Sequence, residues 1–150
     1  MPLVQARLSG AMRYTYWGFD IYQARLWVEP GFASQDPWRS RFVLELQYLR
    51  DFKGRDIAQR SLQEMRRQGA IDEAQAQAWL QTMQTIFPDV VTGDRLSGIF
   101  LPGQGIRFMA NGENIADVND IEFAQRFLGI WLSEKTSEPK MRLALLGLFE

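Results

Sequence analysis

The sequence predicts an α+β domain in which helices cover one face of an antiparallel sheet. Residues 42–48 alternate apolar and polar side chains, which is the pattern of a strand with one buried face. Residues 57–65 then repeat apolar side chains at helical spacing. Strand-like segments elsewhere occur in groups and do not alternate strictly with helices, which favours antiparallel pairing over a parallel sheet.

The first part of the chain has the character of extended strands. Residues 4–8 alternate in a predicted first strand, and Gly10 separates them from the aromatic segment 13–17. Gly18 then divides that segment from residues 19–28, which are rich in the β-branched and aromatic side chains that strands favour.

Two helices are predicted in the middle of the chain. The first begins after the Gly54 region and ends in a basic turn before Gly69, as expected of a helix C-terminus. Asp72 followed by Gln75 resembles a capping box, so the second helix begins there, and Pro88 ends it.

The last third predicts a three-stranded meander followed by two helices. The meander covers residues 95–118, with turns at 102–105 and at Asn111-Gly112, a strong hairpin signal. Asn119 is predicted to open one helix, and Ser137 before a proline is predicted to open the last. The prediction totals six or seven strands and four helices.

Length and charge restrict the class of protein. A chain of 150 residues is predicted to form a single domain, residues 1–150. Seventeen basic and 18 acidic residues give a net charge of −1, so no electrostatic footprint for nucleic acid is expected. No apolar run approaches the length of a membrane-spanning helix, so no transmembrane segment is predicted.

Missing residue types exclude several kinds of chemistry. The chain has neither cysteine nor histidine, which removes thiol chemistry, imidazole acid–base catalysis and nearly all zinc sites. Acidic residues are scattered over separate elements, so the sequence predicts no metal site and no cofactor, and it identifies no catalytic residue. The oligomeric state is left open.

The compartment is also left open by the sequence. No signal peptide is recognised at the start of the sequence, as in a cytoplasmic protein. A chain whose signal had been removed and replaced by methionine would look the same, and such a protein would be periplasmic.

Two segments carry a resemblance to a known family. Bacterial chalcone isomerase-like proteins have segments similar to Tyr48-Leu49-Arg50-Asp51-Phe52-Lys53-Gly54-Arg55-Asp56 and to the hairpin Leu101–Gly105. Arg13 and residues 19–22 precede these segments in the same order along the chain as in that family. The resemblance spans nearly the whole chain. It implies an open-faced antiparallel sheet, with helices packed on one face and a ligand cleft between the two layers.

The resemblance implies two branches of function. Enzymes of the family close chalcones with an arginine, a threonine, a tyrosine, a lysine and an asparagine, whereas plastid relatives bind fatty acids with an arginine and a tyrosine. Here the arginine is matched by Arg13, and the other four positions read Tyr22, Ile57, Arg60 and Glu64. Most enzyme residues are therefore absent, while Arg13 with Tyr22 resembles the fatty-acid-binding pair.

We accordingly predict that Arg13 and Tyr22 bind the carboxylate of a ligand. The alternative for Arg13 is a surface arginine, or one paired with Asp20 or another acid. The alternative for Tyr22 is a core side chain whose hydroxyl finds a partner within the protein.

The leading hypothesis is non-catalytic binding of a fatty acid or similar amphipathic carboxylate between sheet and helices. The second is an isomerase or intramolecular lyase acting on a chalcone-like or other phenolic enone. A third has no small ligand, and the exposed aromatic side chains then bind a partner protein.

Overall fold

A single sheet organises the chain. The structure, a computed structural model, describes residues 2–148. Within that range six strands lie side by side in chain order, each antiparallel to the next. The strands are β1 (Arg7–Tyr16), β2 (Phe19–Val28), β3 (Phe42–Tyr48), β4 (Arg95–Leu101), β5 (Gly105–Ala110) and β6 (Glu113–Val118).

Helices cover one face of this sheet, which confirms the predicted α+β class. The α-helices of the described residues are α1 (Gly54–Arg66), α2 (Glu73–Ile86), α3 (Ile121–Leu132) and α4 (Pro139–Leu146). Buried side chains from all four join one hydrophobic cluster with the inward side chains of the sheet. No helix within residues 2–148 is long and apolar enough to cross a bilayer.

Strand β3 lies at the centre of the core. Phe42, Leu44, Leu46 and Tyr48 are all at most 5% exposed, so the alternation in the sequence correctly marked the buried face. Phe42 stacks on Phe100 of β4 with ring centroids 5.3 Å apart. Full burial of each such side chain stabilises the fold by roughly 1.5–3 kcal/mol.

The predicted hairpin turn at Asn111-Gly112 and the predicted helix cap at Asp72 are both confirmed. Asn111 and Gly112 both have positive φ, 51° and 84°, in the turn that joins β5 to β6. A two-residue hairpin turn of this kind favours Asn-Gly because asparagine and glycine tolerate positive φ. At α2, Asp72 accepts a hydrogen bond from the backbone N–H of Gln75 at 3.3 Å, as the predicted cap requires.

The beginning of the chain differs from the prediction. Residues 4–6 lie outside β1, and Val4 donates its backbone N–H to the Glu29 carboxylate at 2.8 Å. Gly10 does not separate two segments, because it lies inside β1 beside an irregular step in its pairing with β2. A side chain at Gly10 would collide with the backbone carbonyl of Ala144, so glycine here lets α4 pack directly on the strand.

Two predicted helix starts shift by one or two residues. Helix α3 begins at Ile121, and its cap is Asp120, which accepts from the N–H of Phe123 at 3.0 Å; the predicted Asn119 is not the cap. Helix α4 begins at Pro139 with Glu138 at the capping position, so Ser137 precedes it. The Ser137 hydroxyl instead donates to Glu64 at 2.7 Å, a long-range contact that no local pattern indicates.

We expect Gly10→Ala to lower the free energy of unfolding by about 3 kcal/mol, because the new methyl group meets backbone that cannot move without displacing α4. Urea unfolding monitored by tryptophan fluorescence measures this change. Gly98→Ala in β4 is the matched control. Its methyl group meets the end of the flexible Ile106 side chain, so we expect a loss of about 1 kcal/mol. Equal losses at the two positions would contradict the proposed role of Gly10.

Candidate functional site

A cavity of about 330 Å³ lies between the sheet and the helices. Its walls come from strands β1 to β4, from α1 and α3, and from the segment that precedes α4. The volume is at the lower end of the range typical of small-molecule sites. A cleft between the two layers is what the family resemblance implies.

The interior of the cavity is mostly apolar. Leu46, Ile57, Leu96 and Phe127 line it and are each at most 9% exposed. Ile57 faces the cavity at the position where the resemblance places a catalytic tyrosine, so no hydroxyl is available there. These walls favour an apolar ligand segment, because every methylene removed from water contributes about 0.8 kcal/mol.

Three tyrosines form a row across one side of the cavity. Tyr14, Tyr22 and Tyr48 stand opposite one another in the pairing of β1, β2 and β3. The ring centroids of Tyr14 and Tyr22 are 5.1 Å apart, and those of Tyr22 and Tyr48 are 5.9 Å apart. Paired positions on neighbouring strands project to the same face, which is why the three rings meet. We call these residues the tyrosine row.

The tyrosine row consists of neutral hydroxyls. Burial raises the pKa of Tyr22 and of Tyr48 far above the usual value for a phenol. Burial also raises the pKa of Tyr14, although the positive charge and hydrogen bonding of Arg60 oppose that shift. The Tyr22 hydroxyl accepts a hydrogen bond from the indole Nε1–H of Trp131 at 2.8 Å. At neutral pH the row therefore offers O–H donors and no phenolate.

The rim of the cavity carries charge. Arg60 of α1 lies there, with its guanidinium 3.2 Å from the Glu64 carboxylate and 5.5 Å from the centroid of the Tyr16 ring. Asp56, Glu64 and Glu138 also line the cavity. One cation therefore stands among three carboxylates, so an anionic ligand must compete with Glu64 for Arg60.

The structure separates the two residues predicted to bind a carboxylate. Tyr22 lines the cavity, but Arg13 does not. Arg13 alternates with Tyr14 along β1 and therefore projects from the opposite face, where its side chain is 58% exposed and lies 3.3 Å from Asp20. The alternative considered for Arg13, pairing with Asp20, is the arrangement found. The predicted cleft position of Arg13 is thus corrected.

Arg60 is the cation that sequence reasoning passed over as a ligand residue. Its signal was present, because the resemblance matches Arg60 to the lysine of the enzyme branch. The same match places Glu64 and Ile57 at this site, and all three line the cavity. Among residues 2–148 no group of three or more acidic side chains is arranged to hold a metal ion.

Comparison with known proteins identifies the family of this fold. A family model described as chalcone isomerase-like matches residues 6–147. An uncharacterized protein of Haemophilus influenzae is 30% identical over 146 residues, covering 97% of this chain and 70% of that protein.

A solved structure shares the architecture. The crystal structure of a fatty-acid binding protein of Arabidopsis thaliana superposes with a TM-score of 0.68, covering 94% of this chain and 86% of that one. The identity is only 13%, so this similarity concerns the fold.

We expect Tyr22→Phe to lower the free energy of unfolding by about 1–3 kcal/mol, because the buried Trp131 indole N–H would lose its acceptor. Tyr48→Phe is the matched comparison in the same row. The Tyr48 hydroxyl makes no hydrogen bond within the described chain, so its removal should change stability by less than about 0.5 kcal/mol. Chemical denaturation of both variants measures the difference, and a larger loss for Tyr48→Phe would contradict this assignment.

Proposed function

The chain belongs to the chalcone isomerase-like family, and we propose that it binds a fatty acid or similar amphipathic carboxylate without transforming it. The observation that carries this proposal is the cavity itself, which has an apolar interior and one guanidinium at its rim. An amphipathic acid matches both parts, because its chain fills the interior while its carboxylate remains beside the cation.

The apolar part of such a ligand would supply most of the affinity. With about 0.8 kcal/mol for each buried methylene, eight methylenes contribute roughly 6 kcal/mol before ordering costs. A charge-assisted hydrogen bond adds roughly 1.5–3 kcal/mol. The chain therefore sets how tightly the ligand binds, and the head group sets its orientation.

Arg60 takes the role that the sequence suggested for Arg13. Its guanidinium has five N–H donors in a planar fork, so it can hold Glu64 and still present donors to a ligand carboxylate. Glu64 also accepts from the Ser137 hydroxyl and lies 3.9 Å from Arg67, which disperses its negative charge away from Arg60. These contacts support a carboxylate at the rim in spite of the neighbouring acids.

The side chains around the cavity support binding without chemistry. The hydroxyls of the tyrosine row stay protonated, since desolvation raises the pKa of each, and they are poor proton acceptors. Ile57 contributes only methyl and methylene groups. The similarity in fold to a protein named for fatty-acid binding agrees with this proposal.

The direct test is native mass spectrometry of the purified protein, followed by thermal unfolding with fatty acids of increasing chain length. We expect a bound acid or a rise in Tm for at least one chain length, because a ligand that binds only the folded state stabilises it. Protein that carries no acid and gains no stability from any of them would contradict the proposal.

Arg60→Gln should weaken dodecanoate binding about tenfold, the factor that a loss of about 1.4 kcal/mol produces. The expected loss is smaller than the full value of a charge-assisted hydrogen bond because the Arg60 side chain is 51% exposed and water screens its charge. Isothermal titration calorimetry measures the affinity. Arg13→Gln is the matched control, and its affinity should equal that of the unaltered protein. A loss in Arg13→Gln with none in Arg60→Gln would restore the sequence-based prediction.

Glu64→Gln should strengthen dodecanoate binding about threefold or more, because it removes the carboxylate that competes for Arg60 while keeping a side chain of the same size. Glu73→Gln serves as the control, since Glu73 pairs with Arg66 away from the cavity. Titration calorimetry at low ionic strength gives the clearest comparison. Unchanged or weaker binding in Glu64→Gln would show that the ligand head does not meet Arg60.

A further inference from the structure

Two hydroxyl protons on the cavity wall have no acceptor in the described part of the chain. The Tyr22 oxygen accepts from Trp131, but its own O–H donates to no atom of residues 2–148. The Tyr48 hydroxyl forms no hydrogen bond with any of those residues. A hydroxyl that faces a cavity and has no acceptor in the protein is free to donate to water or to a ligand.

The geometry directs the Tyr48 hydroxyl into the cavity. Tyr48 is only 5% exposed and lines the cavity wall. Every fully enclosed side-chain nitrogen or oxygen among residues 2–148 has a hydrogen-bond partner. The Tyr48 oxygen, which has none there, is therefore not sealed in the core and borders the cavity space.

The two hydroxyls belong to one polar region. Tyr22 and Tyr48 are paired residues of neighbouring strands, with ring centroids 5.9 Å apart. Since burial raises the pKa of both, they remain uncharged donors. Two neutral donors in an apolar surrounding suit an oxygen that accepts hydrogen bonds without bringing a charge into the interior.

This polar region begins beside the charged rim at Tyr22, whose ring lies 5.1 Å from that of Tyr14, and extends away from the rim to Tyr48. Arg60 lies against Tyr14 and Tyr16 of β1, whereas Tyr48 is on β3. Two strand spacings separate β1 from β3, which is about 9–10 Å across the sheet. A ligand held at the rim by its head would therefore meet the second polar region with the middle of its chain.

We propose that the ligand is an oxygenated amphipathic acid, whose chain carries an uncharged oxygen that accepts hydrogen bonds from Tyr22 and Tyr48. A keto or hydroxy group supplies such an oxygen, and an unsubstituted chain does not. This inference rests on the proposed binding of an amphipathic carboxylate and narrows the class of acid that the cavity takes.

The test combines a variant with a series of ligands. The probes are dodecanoic acid and its keto isomers, with the ketone moved one carbon at a time along the chain, and titration calorimetry measures each affinity. Tyr48→Phe is the informative variant, because it removes only the oxygen and breaks no hydrogen bond within the described chain. Tyr22→Phe is less suitable, since Trp131 would lose its acceptor.

In the unaltered protein, we expect one or two keto isomers to bind about tenfold more tightly than dodecanoic acid. In Tyr48→Phe that advantage should disappear, while the affinity for dodecanoic acid itself should change less than twofold. Such a result couples the ligand oxygen to the Tyr48 hydroxyl, as a double-mutant cycle requires.

Other outcomes overturn the inference in distinguishable ways. If dodecanoic acid binds but no keto isomer gains affinity, the oxygenated ligand is rejected and the proposed function stands. If Tyr48→Phe weakens every acid equally, the tyrosines bind the carboxylate head group. The inference that they bind an uncharged oxygen in the ligand chain is then rejected. If no acid binds at all, the proposed function fails together with this inference.

Discussion

The pairing register of β1, β2 and β3 is the constraint on which the cavity depends. It places Tyr14, Tyr22 and Tyr48 level with one another on the face that the helices cover. Side chains alternate along a strand, so a slip of one residue in β1 would turn Tyr14 outward and bring Arg13 inward. The buried alternation of β3, from Phe42 to Tyr48, anchors this register because the opposite choice would expose four large apolar side chains.

The chemistry of the cavity follows from which groups remain neutral and which keep their charge. Tyr48 is buried and Tyr22 partly buried, and desolvation raises the pKa of both and keeps their hydroxyls protonated. Charged groups occur at the rim, where water lowers the cost of their charge. Arg60 is held there by Glu64, and Glu64 by Ser137. The cavity therefore combines a charged rim, neutral hydroxyl donors and an apolar interior.

Segments whose structure depends on neighbours in the chain were predictable. The Asn111-Gly112 turn and the Asp72 cap rely on backbone conformation within a few residues, and both were found as expected. The N-terminal prediction failed where more distant parts of the chain intervene, because the backbone of α4 packs against Gly10 and the Glu29 carboxylate accepts from the N–H of Val4. A local pattern contains no information about partners as far along the chain as Glu29 is from Val4, or Ala144 from Gly10.

The sequence by itself determined the α+β class and the buried face of β3, because strand alternation and turn chemistry depend on residues that are close together in the chain. The position of Tyr22 at the cleft was expected only from the family resemblance. The sequence could not decide which arginine reaches the cavity. Arg13 and Arg60 are chemically identical, and only the tertiary structure turns one towards Asp20 on the open face and the other towards the tyrosine row. That choice depends on which face of β1 carries Arg13 and on how α1 brings Arg60 to the ring of Tyr16, and both are properties of packing between distant segments.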